Sequence, residues 1–197
     1  MLKPITAGAA VALACIIYAS VGGIAGAVLF SSALLTILYC GLPLFTGRVG
    51  QADRQESMQL PMMFALNALG ALCVALAAFY AMDEETFDAV VKIAQAKLYA
   101  PEMAVLTRSL FCGALMQTAV VGFKKGSELL CVFCVAAFVA SGFEHSVANV
   151  FWVFYSHASY RDAFMFLIVC IAGNGIGAKM ASAGGIFVTK GGESDGK

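Results

Sequence analysis

Charged residues are sparse along this chain, and the gaps between them predict its elements. No charge falls between Lys3 and Arg48, a run too long for one membrane-crossing helix of about 20 residues and long enough for two. Val21-Gly22-Gly23 interrupts it, and paired glycines break a helix at little cost. This predicts a first span near Ile5–Ser20 and a second near Ile24–Thr46. The next uncharged run, Ser57 to Met82, predicts a third span. A fourth covers Met103–Phe123, with Arg108 near one end. A fifth covers Leu129–Tyr155 and contains Glu144 and His145. The sixth begins near Ala163 and ends near Phe187, with Lys179 inside it. Between the third and fourth, Glu85–Lys97 places Phe87, Val90, Val91 and Ala94 on one helical face. That pattern predicts a short amphipathic helix lying on the bilayer surface.

Composition sharpens the class. Of 197 residues, 61% are hydrophobic and 12% charged, with mean hydropathy +0.87, against about 45–50% and about 25% in soluble domains. This excludes an ordinary cytosolic enzyme and a disordered protein. Twelve Lys+Arg balance twelve Asp+Glu, so there is no excess of basic residues for a nucleic acid. The chain reads as one all-α integral membrane domain over residues 1–197, with repeats at about 1–82 and 103–187 and a flexible tail at 188–197. The N-terminus reads as a retained span, because no small-residue cleavage site follows its apolar start. Lys3, Arg48, Arg54, Lys124, Lys125, Lys179, Lys190 and Lys197 fall on one side of a six-span layout, and Lys92, Lys97, Arg108 and Arg161 on the other. Both termini are therefore expected to be cytoplasmic, in the cell's inner (plasma) membrane. All seven cysteines lie in predicted spans. Cys131-x-x-Cys134 has no further ligand nearby and reads as small apolar packing. The two histidines are far apart and no ligand spacing fits, so neither metal nor cofactor is expected.

The two halves resemble each other. Gly41 and Gly142 are 101 residues apart, Gly8 and Gly113 are 105 apart, and Asn67 and Asn174 are 107 apart. A duplicated unit of three spans must invert its second copy, and inverted repeats mark channels and transporters. In each copy one span carries a break: Gly41-Leu42-Pro43 in the second, where Pro43 cannot continue a helix, and Gly142-Phe143-Glu144-His145 in the fifth. Non-helical backbone at membrane depth is tolerated where it is buried in protein or lines a cavity. Both breaks are expected near the midplane, facing an internal pore.

The stretch Phe138-Val139-Ala140-Ser141-Gly142-Phe143-Glu144-His145-Ser146-Val147-Ala148-Asn149 closely resembles the signature of the formate/nitrite transporter family. The likeness extends to Ile5-Thr6-Ala7-Gly8, Leu44-Phe45-Thr46 and Gly173-Asn174. It implies an aquaporin-like fold, a homopentamer, and passage of small monovalent anions or their neutral acids, such as formate, nitrite or hydrosulfide. By position it implies an outer narrowing at Phe30 and Phe138 and an inner one at Leu34, Leu44, Phe45 and Val120. His145 would lie between them, with Thr46 from the other break as its hydrogen-bond partner. Some positions depart from the family pattern. The stretch from Thr46 to Asn67 is short, Gln117 stands where Asn is common, and Lys179 stands where a small residue is usual. The lysine implied near the outer end of the fourth span has no clean match, Lys97 being offset.

Ionisable groups inside a span default to function. His145 is expected to exchange a hydrogen bond or proton with the permeant. Glu144 is expected to satisfy buried backbone N–H groups beside the break, with Asn149 and Asn174 as further support. Asn67 and Asn174 read as interhelical hydrogen-bonding residues. Gln117 either lines the pore or does the same. Lys124-Lys125 reads as a topology signal and His157 as a solvated loop residue. Arg108 on one side, and Lys3 and Arg48 on the other, would concentrate the anion, aided by the N-terminal dipoles of the half-helices after the two breaks. The expected function is a passive or proton-coupled anion channel rather than an enzyme, since no nucleophile, metal set or cofactor motif accompanies His145 and Glu144. The alternative is a non-conducting structural or sensor paralogue of the same fold.

Overall fold

The computed structural model describes residues 2–184, and these form ten helices with no strand among them. Four are long and apolar enough to cross a bilayer: α1 (Leu2–Val21), α5 (Leu60–Ala81), α7 (Glu102–Lys124) and α10 (Tyr160–Ala183). Three shorter apolar helices complete the core: α2 (Gly23–Tyr39), α8 (Glu128–Ala140) and α9 (Ser146–Tyr155). One-turn helices α3 (Phe45–Arg48) and α4 (Arg54–Ser57) follow α2, and α6 (Glu84–Leu98) links α5 to α7.

The turn between α1 and α2 falls at the predicted glycine pair. The second and fifth expected spans each appear as two helices. After α2 the chain turns at Gly41, with φ 60°, and after α8 at Gly142, with φ 66°. Both positions are left-handed, where a side chain would be strained. Each turn is closed alike. Leu42 N–H donates to Ile37 C=O at 2.8 Å, and Phe143 N–H donates to Phe138 C=O at 2.9 Å, the bond that caps helices ending in a left-handed residue. α10 begins at Tyr160, ahead of the predicted Ala163, because the Ser159 hydroxyl caps the Asp162 N–H. Its predicted end at Phe187 and the tail from 188 lie outside the described residues.

α1 packs along α5 and α2, α7 packs along α10 and α8, and α2 meets α8 between the two groups. Glycines set the closest approaches. A Cβ on Gly8 would lie 1.8 Å from the Asn67 carbonyl oxygen, and one on Gly70 would lie 1.9 Å from that of Ile5. The same contact recurs between α7 and α10: Gly113 against Asn174 at 2.2 Å and Gly177 against Leu110 at 2.0 Å. Such backbone-on-backbone packing is how helices associate where no hydrophobic effect separates them from lipid.

One expectation is corrected. α6 is amphipathic as its pattern predicts, and the Asp83 carboxylate starts it by accepting the Thr86 N–H at 2.8 Å. It does not present its apolar face to the bilayer. Val90 and Ala94 are buried against α1 and α9, and Phe87 meets Tyr155 edge-on at 5.8 Å. The apolar stripe fills a protein groove, and this aims Lys97, at the end of the helix, inward.

The close approach of α7 and α10 yields a matched pair of predictions. Gly177→Ala drives a methyl into the Leu110 carbonyl and is expected to cost about 1–3 kcal/mol. Gly175→Ala, in the same helix, meets only Val49 Cγ2 at 3.5 Å and is expected to be neutral. Thermal unfolding in detergent compares them, and equal effects would refute close approach as the constraint.

Candidate functional site

The two interruptions meet. Thr46 Oγ1, in the first turn of α3, lies 2.8 Å from His145 Nε2, just before α9, and both residues are buried. The other ring nitrogen, Nδ1, accepts the Ala148 N–H at 3.1 Å and so caps α9. A nitrogen that accepts carries no proton, so the neutral ring holds its proton on Nε2 and donates it to the threonine oxygen. The ring stacks on Phe138 at 5.6 Å and 13°, and Phe138 meets Phe30 edge-on at 6.0 Å.

Each interruption is held by one asparagine. Asn67 accepts the Phe45 N–H at 2.9 Å and donates to the carbonyls of Pro43 and Pro4. Asn174 accepts the Ser146 N–H at 2.7 Å and donates to the carbonyls of Glu144 and Ser109. The pattern is the same in both halves, down to the bond from each asparagine to the neighbouring long helix. The N–H groups of Phe45, Ser146 and Ala148 are therefore already satisfied, and the expected anion-facing helix ends are engaged with protein.

Glu144 is fully buried and differs from its expected role. Its Oε2 accepts from Lys97 Nζ at 2.9 Å and from Asn149 Nδ2 at 3.0 Å, and its Oε1 faces Arg108 Nη1 at 4.0 Å. Among the described residues, no backbone N–H donates to it. The ionic partner comes from α6, so the lysine that the sequence left offset does arrive at the site. Lys97 Nζ also donates to the Phe143 carbonyl at 3.4 Å. Asn149 donates further to Cys170 Sγ at 3.2 Å.

Three cavities run in file past these residues. The first, about 30 Å³, is bounded by Phe30, Phe138, His145, Lys97, Phe143 and Trp152 among others. The second, about 10 Å³, lies against Phe30, Phe138 and His145 on one side and Leu34, Ile37 and Leu44 on the other, with Met116 beside them. This is room for about one water. The third, about 160 Å³, opens beyond Leu34, Ile37 and Leu44, and is lined by Val120, Arg48 and Lys124. The phenylalanine pair thus separates the first two cavities and the leucines separate the last two.

Of the sequence-predicted pore residues, Phe30, Phe138, Leu34, Leu44, Val120 and His145 line this path, with Thr46 bonded to it. Two do not. Phe45 turns its ring against Phe64 at 5.4 Å, because its N–H is tied to Asn67 on α5. Gln117 packs over Gly50, where a Cβ would lie 2.2 Å from its Oε1, and it lines none of the three cavities. Ile37 and Met116 were missed. Ile37 follows Phe30 and Leu34 on one face of α2, and Met116 precedes Val120 by one turn, so helical spacing from the named residues could have found both. Lys124 lines the third cavity with Arg48, while Lys3 does not.

A family model described as Formate/nitrite transporter matches residues 1–188. Comparison with curated proteins gave no match. Among solved structures, an "FNT family ion channel" superposes with a TM-score of 0.73 at 23% identity, covering 92% of this chain and 84% of the other. A "Pentameric formate channel with formate bound" superposes with a TM-score of 0.74 at 20% identity, covering 92% and 91%. These likenesses carry the fold, and the family match carries membership. With four membrane-length apolar helices around a buried path, this membrane protein belongs to the formate/nitrite transporter family.

Proposed function

We propose that the chain is one protomer of a homopentameric channel that passes small monovalent conjugate bases of weak acids, or the acids themselves. Formate, nitrite and hydrosulfide belong to this class. The observation that carries the reading is the Thr46–His145 contact, made between the two interruptions beside a file of three cavities divided by two apolar narrowings. α2 with α3, and α8 with α9, each make one crossing, so the chain crosses six times in two inverted three-helix repeats with an aquaporin-like layout. α8 and α9 are about 20 Å and 15 Å long, so together they cover the roughly 30 Å hydrocarbon core that neither covers alone. Both termini and the third cavity then face the cytoplasm.

Each part of the path has a physical task. Arg48 and Lys124 give the cytoplasmic mouth a positive potential that raises local anion concentration. Lys97 and Arg108 do the same at the outer end, while their charge offsets buried Glu144. Leu34 and Leu44 inside, and Phe30 and Phe138 outside, offer no hydrogen bonds to a hydrated ion, so they penalise charge far more than size. At the middle, the one N–H of His145 is held by Thr46 Oγ1 and reaches a permeant only by exchanging that partner. A second ring proton must go on Nδ1 and would displace the Ala148 N–H, so charging the ring loosens the cap of α9. Protonation of His145 is thereby tied to the local backbone. In this reading His145 and Glu144 do not work as an acid–base pair, since Glu144 is engaged by Lys97 and Asn149.

Three measurements test this. Native mass spectrometry in detergent is expected to give a pentamer; a stable monomer or dimer would count against the assembly. Phe138→Ala widens the first narrowing and removes the ring stacked on His145, so flux of larger monovalent anions such as acetate is expected to rise. An unchanged selectivity series would make Phe138 a packing residue. The third concerns the central pair. His145→Asn keeps an N-cap acceptor but cannot titrate, and is expected to flatten whatever pH dependence the ring imposes on proteoliposome uptake. Thr46→Val removes the partner at nearly constant volume and is expected to shift the same profile, with less than additive effect in the double mutant. A wild-type profile in His145→Asn would reduce the mechanism to simple permeation through an apolar slit.

A further inference from the structure

α3 is only four residues long, yet it carries Thr46. One helical turn has no stability of its own, because nucleation is unfavourable and the turn gains few bonds. Its position must therefore be imposed from outside. At its start this is done by Asn67, through the Phe45 N–H and the Pro43 carbonyl. At its far end the chain leaves as a turn over Val49–Ala52, and two side chains of α10 hold that turn. Lys179 Nζ donates to the Ala52 carbonyl at 2.6 Å, and Ser182 Oγ donates to the Gly50 carbonyl at 2.9 Å. The two residues are three apart on a helix and so share a face. Gly50 itself is seated so closely that a Cβ would lie 3.1 Å from the Cβ of Ala178, on the same helix.

The other interruption is held differently, with Tyr155 at the end of α9 donating from its hydroxyl to the Ala75 carbonyl of α5 at 2.6 Å. α9 is ten residues long, almost wholly buried, and carries its own cap in His145. The clamp from α10 thus acts on the shorter helix, which has least hold of its own, and it includes Lys179, where the chain also departs from the family pattern. We propose that Lys179 and Ser182 are positioning residues: by clamping the end of the α3 turn to α10 they hold Thr46 against His145. The function assigned to that contact rests on the channel reading above, while the clamp is a claim about geometry and is testable without it.

The charged groups around the His145 segment are its neighbour Glu144, with Lys97 of α6 and Arg108 of α7 against that carboxylate, and Lys97 shares the first cavity with the ring. The Cys15 thiol of α1 also approaches its segment at the Ala148 carbonyl, at 4.0 Å. None of these belongs to the clamp.

The experiment has two arms. In a His157→Gln background, histidine-labelled protein gives one ring to observe by NMR. Lys179→Met with Ser182→Ala is expected to move the His145 Nε2 signal toward its position in Thr46→Val, and Lys179→Arg is expected to leave it in place. Unmoved ring signals in the double variant overturn the clamp, whatever transport does. The second arm is anion uptake against pH. The double variant is expected to lose about tenfold in uptake, the factor of one lost hydrogen bond, and to shift the pH profile as Thr46→Val does, with no further shift when combined with it. Lower uptake with a wild-type profile in both Lys179→Met and Lys179→Gln would make Lys179 a charge at the cytoplasmic mouth, against the proposal. If wild type moves no anion, the channel reading fails while the NMR arm still decides the clamp.

Discussion

Backbone that leaves the helix inside a membrane protein has no water to bond, and this constraint organises the molecule. Each unsatisfied amide costs about 2–7 kcal/mol depending on reference, and two interruptions expose several. Asn67 and Asn174 meet the cost in the same way. Each accepts the first N–H of the helix that follows and donates to the last carbonyl region of the segment before it. Each also reaches a carbonyl of the neighbouring long helix, which is possible only because Gly8 and Gly113 let the helices touch along their backbones. The glycines, the asparagines and the interruptions are thus one device used twice. Removing either asparagine leaves the first N–H of the following helix without its partner.

Most of this was legible in the sequence, because its physics is local or repeated. Glycine pairs, Pro43 and the uncharged runs located the helices, and the near-constant offset between halves pointed to matching asparagines and glycines before any contact was known. The Thr46–His145 pair came from matching the two interruptions against the family pattern. What escaped depended on how elements turn toward each other. Lys97 sits on a helix whose stripe fits a bilayer surface and a protein groove equally well, and only packing against α1 and α9 separates the two. Glu144 was expected to serve backbone N–H groups because it stands beside a break, but Asn174 had already taken the Ser146 N–H. Phe45 and Gln117 were assigned by position in a segment that is short here, and their side chains follow the local backbone instead.

The hydrogen bonds also give the central pair unequal roles. His145 is built into α9 as its cap, so its ring is fixed by a ten-residue, buried helix. Thr46 rides on a single turn whose place is set by α5 at one end and α10 at the other. The histidine's segment is tied to the same two helices, by Asn174 of α10 and by the bond from Tyr155 to Ala75 of α5, but it adds a buried helix of its own. The two halves repeat in bonding but not in stiffness, and this asymmetry comes from the polar stretch after Arg48, where apolar length gives way to Gln51, Asp53 and Arg54.

Magnitudes decide which form of a permeant the proposed path favours. Glu144 is buried beside Lys97, and their opposite charges leave the middle of the path near neutrality. A bare anion between the two apolar narrowings then meets only an N–H donor already held by Thr46. Transferring an ion from water to such surroundings costs several kcal/mol after relaxation and about 20 in the unrelaxed limit. Protonating an acid whose pKa is near 4 costs about 4 kcal/mol at pH 7, at 1.36 kcal/mol per unit. The second route is the cheaper whenever the site relaxes poorly, and a cavity of about 10 Å³ holds too little water to relax well. A path of this shape therefore selects weak acids over the anions of strong acids of equal size, because the latter cannot shed their charge at the narrowing.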